Sequence, residues 1–233
     1  MTTTTRRPEA TAPTLIRTAR TTGLLYLGLA ITGLVGFMLV RNQIFVPASP
    51  DATLANLVQQ EFLARLGVLV EMGIVLTQAL VALWFFRLFS SVDRFAAGAI
   101  AAFGLVNAVA ILGSAAVLGA ALDVSQDPSL AAGGAMAPTA QLLYVVSGHL
   151  WSVGGIFFGL WLIPMGWLAL RSGWMPAALG WTLMIGGVGY VANAMLGSLL
   201  PDAGPVLDLL TLPATVGELW MVGYLCIKGV RRP

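Results

Sequence analysis

The feature that most constrains this chain is a series of six long apolar segments separated by short polar connections. They lie at residues 23–40, 62–88, 95–122, 140–170, 177–200 and 206–230. A helix of about 20 apolar residues is long enough to cross the hydrocarbon core of a bilayer. Only 9% of the residues are charged, whereas a soluble domain carries about 25%. The sequence therefore predicts an all-α, polytopic transmembrane helical bundle of about six spans, which forms one domain over residues 21–233.

The connections are less regular than the spans. Residues 1–20 are rich in Thr, Pro and Arg, which predicts a disordered cytoplasmic tail. Ser49 can cap a helix and Pro50 suits its first position, so a short interfacial helix is expected between the first two spans. Residues 123–138 show no sustained pattern and are expected to form a surface loop.

The distribution of basic residues predicts the orientation. With the N-terminus in the cytoplasm, ten of the twelve Lys and Arg residues fall on the inner side. These are Arg6, Arg7, Arg17, Arg20, Arg87, Arg94, Arg171, Lys228, Arg231 and Arg232. Only Arg41 and Arg65 lie toward the outside. The positive-inside rule thus places both termini in the cytoplasm, and the expected location is the plasma membrane of a bacterium.

Polar side chains within the spans are the candidate functional residues, because an ionised group at the centre of a membrane helix costs about 2.5–3.5 kcal/mol on insertion scales. Near the outer mouth, Arg65 has the spacing for an ion pair with Glu61. Its guanidinium either extends to the headgroups or holds an anionic group of a ligand. The groups inside the spans are Glu71, Gln78, Asn107, His149, Asn193 and Glu218.

Four of these residues are expected at a similar depth. A rise of about 1.5 Å per residue puts Glu71, His149, Asn193 and Glu218 about 9–16 Å below the outer surface. They are predicted to line an outward-facing cavity together with Gln78 and Arg65. The alternative for each is a structural hydrogen bond between helices. A metal site of His149, Glu71 and Glu218 is the least supported reading, because no multi-histidine spacing occurs.

Small residues form two stripes at helical spacing. One stripe contains Gly148, Ser152, Gly155 and Gly159, and the other contains Thr182, Gly186, Gly189, Asn193 and Gly197. Such stripes usually let membrane helices pack closely. The alternative is that one of them opens onto a ligand cavity.

Motifs for other functions are missing from the sequence. It contains no nucleophile elbow, Gly-rich phosphate loop, dinucleotide fingerprint or paired-cysteine motif, and no cofactor is predicted. The formal net charge is only +2 and the basic residues are scattered, which argues against nucleic-acid binding.

Three segments resemble a known family of bacterial and archaeal membrane proteins. They are GLLYLGLAITGLVG in the first span, EFLARLGVLVEM entering the second, and HLWSVGGIFFGLWLIPMGWLALRSGWMPAALGWTLMIGGVGYVANA across the fourth and fifth. The sequence is similar to the family called domain of unknown function 4386. The resemblance implies a multi-helix membrane protein and carries no activity to transfer. His149, Arg171, Ser172, Pro176 and Tyr190 match its pattern.

Three hypotheses for function remain open. The first is a non-enzymatic protein that binds or moves a small ligand or proton through the polar cavity. The second is a membrane-embedded enzyme acting on a lipid-like substrate, with the same residues as acid and base. The third is an accessory subunit in which the polar groups only lock the bundle. Six spans are few for a complete transporter, which favours a homodimer.

Overall fold

The computed structural model describes residues 12–200 and 203–231, and these residues form a bundle of helices with no β-strand. We number the main helices α1 to α7. They are α1 (Ala12–Leu34), α2 (Pro50–Gln59), α3 (Glu61–Phe89), α4 (Arg94–Gln126), α5 (Met136–Ser172), α6 (Ala177–Leu199) and α7 (Leu212–Ile227). All but α2 belong to segments that are long and apolar enough to cross a membrane, so the predicted all-α bundle of six spans is confirmed.

The first span is longer than predicted at both ends. Residues 1–11 lie outside the described part of the chain, but α1 already begins at Ala12, so residues 12–20 are helical and not a disordered tail. The correction has a physical reason: Ala19 is fully buried in the bundle, and the Thr22 hydroxyl donates to the Thr18 carbonyl within the helix. At its other end α1 continues as a π-helical segment, Val35–Arg41, and a last turn, Asn42–Ile44.

Three chain segments meet at one end of the bundle, which we call the basic end. Asp93 caps α4 by accepting a hydrogen bond from the Ala96 amide, and its other oxygen lies 3.3 Å from Arg171 at the end of α5. The carbonyl of Trp174, between α5 and α6, accepts hydrogen bonds from the Tyr224 hydroxyl and the Arg231 amide. The α3–α4 turn, the α5–α6 turn and the C-terminal end of α7 therefore lie side by side.

The opposite end, which we call the acidic end, holds the remaining connections. The predicted short helix is α2: Ser49 accepts a hydrogen bond from the Ala52 amide, and Pro50 occupies the first turn. Leu57 is fully buried, and the Asn56 side chain donates to the Ile44 carbonyl. These contacts fasten α2 to the end of the first span.

The connection between α4 and α5 is shorter than the predicted surface loop at 123–138. Helix α4 continues to Gln126 and α5 begins at Met136, which leaves two short 3-10 turns between them. Asp127 accepts hydrogen bonds from the side chain and the backbone amide of Ser129, the latter at 2.8 Å, and these contacts lower the pKa of its exposed carboxyl. Helices α4 and α5 therefore extend into residues that show no apolar periodicity, because the backbone hydrogen bonds of each helix continue through them.

The apolar core is densest in the half of the bundle next to the basic end. Phe85, Phe89, Leu162, Met165 and Leu168 are fully buried there. Large apolar side chains also cover the outside of the bundle, for example Phe62, Leu76, Val109 and Ile227, which are 66–81% exposed. An apolar exterior of this extent suits a protein whose solvent is lipid.

Glycines set the distance between α5 and α6. A Cβ atom on Gly159 would lie 2.5 Å from the carbonyl oxygen of Gly187, and Gly166 and Gly180 approach each other in the same way. The two backbones can be this close only because these positions lack side chains. The predicted role of the small residues in helix packing therefore applies to this pair of helices.

Candidate functional site

A cavity of about 550 Å³ lies between α1, α4, α5, α6 and the segment that leads into α7. It occupies the half of the bundle nearer the acidic end. Its lining residues are Gly33, Asn107, Gly148, Trp151, Ser152, Gly155, Phe158, Tyr190, Asn193, Ala194, Asp208 and Thr211. Apart from Asp208, no residue in this set is charged. The cavity thus offers aromatic faces, two amides and hydroxyls around a mostly apolar space.

Small residues on α5 create the space. Gly148, Ser152 and Gly155 form the upper part of the predicted α5 stripe, and all three line the cavity. A Cβ atom at Gly155 would already lie 3.9 Å from the Tyr190 ring. Below them, the Phe158 and Tyr190 rings meet edge to face with centroids 5.0 Å apart. The α5 stripe therefore opens onto the cavity at its acidic-end half and packs against α6 at Gly159.

Asn193 connects the cavity wall to the chain segment before α7. Its side-chain amide donates to the Leu207 carbonyl at 3.0 Å and to the Asp208 carboxylate at 3.4 Å. These bonds hold the lead-in to α7 against α6. Asn193 is thus both a lining residue and the anchor of one wall.

The structure does not bring the predicted site residues together around this cavity. Of the six residues predicted to line it, only Asn193 does so. The residues outside the lining are Arg65, Glu71, Gln78, His149 and Glu218. Their predicted part in ligand binding stays a prediction, and each lies in a different environment.

Glu71 lies directly behind the cavity wall. Its carboxylate is buried, and one oxygen accepts a hydrogen bond of 3.2 Å from the indole N–H of Trp151, whose ring lines the cavity. The Ser114 hydroxyl and the Arg41 guanidinium lie near the same carboxyl group, but neither is within hydrogen-bond distance of its second oxygen. The carboxyl group of Glu71 is therefore held within the bundle, away from lipid.

Arg41 is the functional candidate that sequence reasoning missed. Its guanidinium donates to the Ser147 hydroxyl at 2.9 Å and to the Tyr144 carbonyl at 3.0 Å, and it lies 5.9 Å from the centroids of the Phe45 and Tyr144 rings. Ser147 in turn lies 2.8 Å from Ser114. Arg41 thus joins a polar network between the first span, α4 and α5. In the sequence, Arg41 is an arginine at the end of an apolar segment, a position that indicates orientation but not a buried network.

Glu218 forms a separate contact between α7 and α1. Its carboxylate accepts a short hydrogen bond from the hydroxyl of Tyr26, a side chain only 2% exposed. The Tyr26 ring packs edge to face on Phe85 and Trp161. Glu218 is therefore satisfied by a helix–helix hydrogen bond, and not by His149 or Glu71.

His149 and Arg65 are exposed and do not line the cavity. His149 is exposed on α5. It is not among the residues that line the cavity, although its neighbours Gly148 and Ser152 are. Arg65 forms the predicted ion pair with Glu61 at 2.6 Å, with the two side chains 60% and 42% exposed. This pair belongs to the surface at the acidic end.

Metal coordination finds no support in this arrangement. Within residues 12–200 and 203–231, no three His, Cys, Asp or Glu side chains come close enough to hold a metal ion. The three residues considered for a metal site, His149, Glu71 and Glu218, have the separate surroundings described above. The chemistry that the cavity offers is hydrogen bonding, aromatic contact and one carboxylate.

Comparison with known proteins identifies a family but no activity. No curated protein and no solved structure matches the chain. The model of one family, described as "Domain of unknown function (DUF4386)", matches residues 21–229. That match includes every cavity-lining residue, the five later spans and the first span from residue 21 onward. The chain therefore belongs to the DUF4386 family.

Proposed function

We propose that this protein binds or translocates a small, largely apolar molecule with hydrogen-bonding groups, and that the molecule sits in the cavity between α4, α5 and α6. The observation that carries the proposal is the cavity itself. Its volume of about 550 Å³ falls within the range of small-molecule sites, which is about 300–1,000 Å³. Its lining also resembles such sites, since apolar and aromatic walls carry a few polar groups.

The chemistry of the lining defines the ligand. Trp151, Phe158 and Tyr190 provide aromatic faces for apolar groups, while Asn107 and Asn193 provide amides. The single charged lining residue is a carboxylate, so the site favours a neutral or cationic molecule over an anion.

Access is from the acidic end. Asn193 lies within two turns of the end of α6, and Asp208, an exposed residue, lies at the mouth. Toward the basic end, the fully buried side chains around Phe85 and Met165 close the bundle. A cavity open on one side and closed on the other suits a binding protein or one state of a transporter.

The distribution of charge orients the cavity in the cell. Arg17, Arg20, Arg87, Arg94, Arg171, Lys228 and Arg231 lie toward the basic end, and Asp51, Glu61, Asp123, Asp127 and Asp208 toward the acidic end. The positive-inside rule then places the basic end and both termini in the cytoplasm. On this orientation the cavity faces the outside of the cell membrane.

Cysteine labelling tests the proposal. The natural thiol is removed by Cys226→Ser, and Ser152→Cys is compared with Val153→Cys, since Ser152 lines the cavity and Val153 is 58% exposed on the lipid side. The two positions differ in depth by only about 1.5 Å. We expect water-soluble N-ethylmaleimide to modify the Ser152→Cys variant about ten-fold faster or more, because a thiol in hydrocarbon does not ionise.

Charged reagents extend the test to the ligand class. A cationic methanethiosulfonate should modify the Ser152→Cys variant faster than an anionic one, and Asp208→Asn should remove that preference. Equal rates at Ser152→Cys and Val153→Cys would mean that no water-filled cavity exists, and the proposal would then be abandoned. A preference for the anionic reagent would overturn the proposed ligand class.

A further inference from the structure

Four buried polar atoms in the middle of the bundle have no hydrogen-bond partner among the described residues. They are Glu71 Oε2, Gln78 Nε2, Gln78 Oε1 and the indole Nε1 of Trp161. Gln78 and Trp161 are fully buried, and Glu71 is 6% exposed. An unpaired buried polar group is costly in any protein, and in a bilayer no bulk water is nearby to relieve it. Each of these groups would therefore be stabilised by a hydrogen-bond partner.

The three side chains lie along one line through the bundle interior. Glu71 and Gln78 are two turns apart on the same face of α3. A Cβ atom at Gly104 on α4 would lie 3.4 Å from Gln78 Nε2 and 2.9 Å from the Trp161 ring, so these two side chains meet at Gly104. Asn107 follows one turn later on the same face of α4, at a height between Gln78 and Glu71. We call Glu71, Asn107, Gln78 and Trp161 the polar column.

The polar column joins the cavity on one side. Asn107 belongs to both, because it lines the cavity and is 96% buried. Trp151 lines the cavity while its indole N–H binds Glu71. The column therefore begins where the cavity wall ends.

Aromatic rings close the other end of the column. The rings of Tyr26 and Phe85 meet the Trp161 ring edge to face, with centroids 5.6 Å and 5.9 Å away. Leu162 and Met165 follow, and both are fully buried. The one polar group among these four side chains, the Tyr26 hydroxyl, is already bonded to the Glu218 carboxylate.

We propose that the polar column binds internal water molecules that enter from the cavity. A water molecule can donate two hydrogen bonds and accept two. Water can therefore pair with the amide, the carboxylate oxygen and the indole N–H along the column. The bound water gives Glu71 proton exchange with the acidic end only. This inference rests on the proposed cavity being open to water, and it goes beyond it by assigning a hydrated site deeper in the bundle.

Hydrogen exchange at tryptophan side chains tests the column. The full chain is labelled with ¹⁵N-tryptophan in lipid nanodiscs, and exchange of the seven indole N–H groups is followed in D₂O. The Trp161 signal is assigned by Trp161→Phe or, if that variant does not fold, by replacing the other six in turn. We expect Trp161 to exchange by local access, well before global unfolding, and Gln78→Leu to slow it about ten-fold or more. Exchange at Trp151, on the cavity wall, should not change in that variant.

The outcomes separate this inference from the proposed function. If Trp161 keeps its proton until the protein unfolds, the column is dry and the inference is overturned, even where the Ser152→Cys variant reacts with maleimide. A higher melting temperature for Gln78→Leu with unchanged Trp161 exchange overturns it as well, because removing unpaired groups from a dry site is stabilising. If the Ser152→Cys variant fails to react, the cavity itself is refuted together with its inner extension.

Discussion

Replacing Tyr26 by phenylalanine removes a single hydroxyl from the contact between α1 and α7. The ring stays, and with it the edge-to-face packing on Phe85 and Trp161. What is lost is the donor to the Glu218 carboxylate. Leaving a carboxylate without its partner costs about 1–3 kcal/mol, or more for a charged group. For a chain of this length that corresponds to a fall in melting temperature of about 2–12 °C.

A second substitution shows whether the hydrogen bond is the cause. Glu218→Met keeps a side chain of similar length and removes the acceptor. Tyr26→Phe combined with Glu218→Met removes both partners, which is nearly neutral when the shapes are kept. We therefore expect the double variant to be more stable than Tyr26→Phe alone, with a coupling energy of about 1–3 kcal/mol. Thermal unfolding in one detergent, followed by circular dichroism, compares the four proteins.

The reasoning on buried polar pairs is refuted by either of two results. Tyr26→Phe with the wild-type melting temperature would mean that Glu218 does not depend on this donor. Additive effects of the two substitutions would mean that the two side chains do not interact.

Three further predictions concern packing, topology and the histidine. Gly186→Ala should overpack against the α7 backbone and destabilise the protein by about 1–3 kcal/mol, which lowers its melting temperature. Gly197→Ala, where the added methyl group meets open space, should be tolerated. Thermal unfolding checks both variants. In intact cells, an impermeant maleimide should label Ser129→Cys and spare Ser91→Cys, and the reverse pattern would invert the orientation. His149→Ala should leave the maleimide reactivity of the cavity unchanged, and a large change would place the imidazole at the site.

The features that the sequence predicted best depend on short-range rules. The six spans follow from the length of the apolar segments, since hydrocarbon thickness sets a minimum helix length. The α2 cap at Ser49 and the Glu61–Arg65 pair follow from fixed spacings along one helix. None of these features depends on which helices are neighbours.

The shared site of Glu71, His149 and Glu218 needed information that the sequence lacks. A soluble helix shows its inward face by polar periodicity, but a membrane helix is apolar toward both lipid and core. The inward face of α5 is therefore ambiguous from the sequence, and His149, which was predicted to line the cavity, is exposed and is not a lining residue. Depth alone could place residues at one height, but not on one face.

The partners of Arg41 also could not be predicted from the sequence. At the end of an apolar segment, an arginine is usually a headgroup contact. Here its partners are Ser147 and the Tyr144 carbonyl, more than a hundred residues away in the chain. Only the packing of the first span on α5 brings them together.

The most direct test of a water-filled cavity within the apolar bundle is a comparison of spin labels at two adjacent positions on α6. Ala194 lines the cavity and Met195 is 60% exposed on the outside. In a Cys226→Ser background in nanodiscs, nitroxides are attached to Ala194→Cys and Met195→Cys, and their collision rates with O₂ and with a water-soluble nickel chelate are measured. We predict that the chelate dominates at position 194 and O₂ at position 195. Domination by O₂ at both positions would show that lipid, and not water, fills the space between the helices.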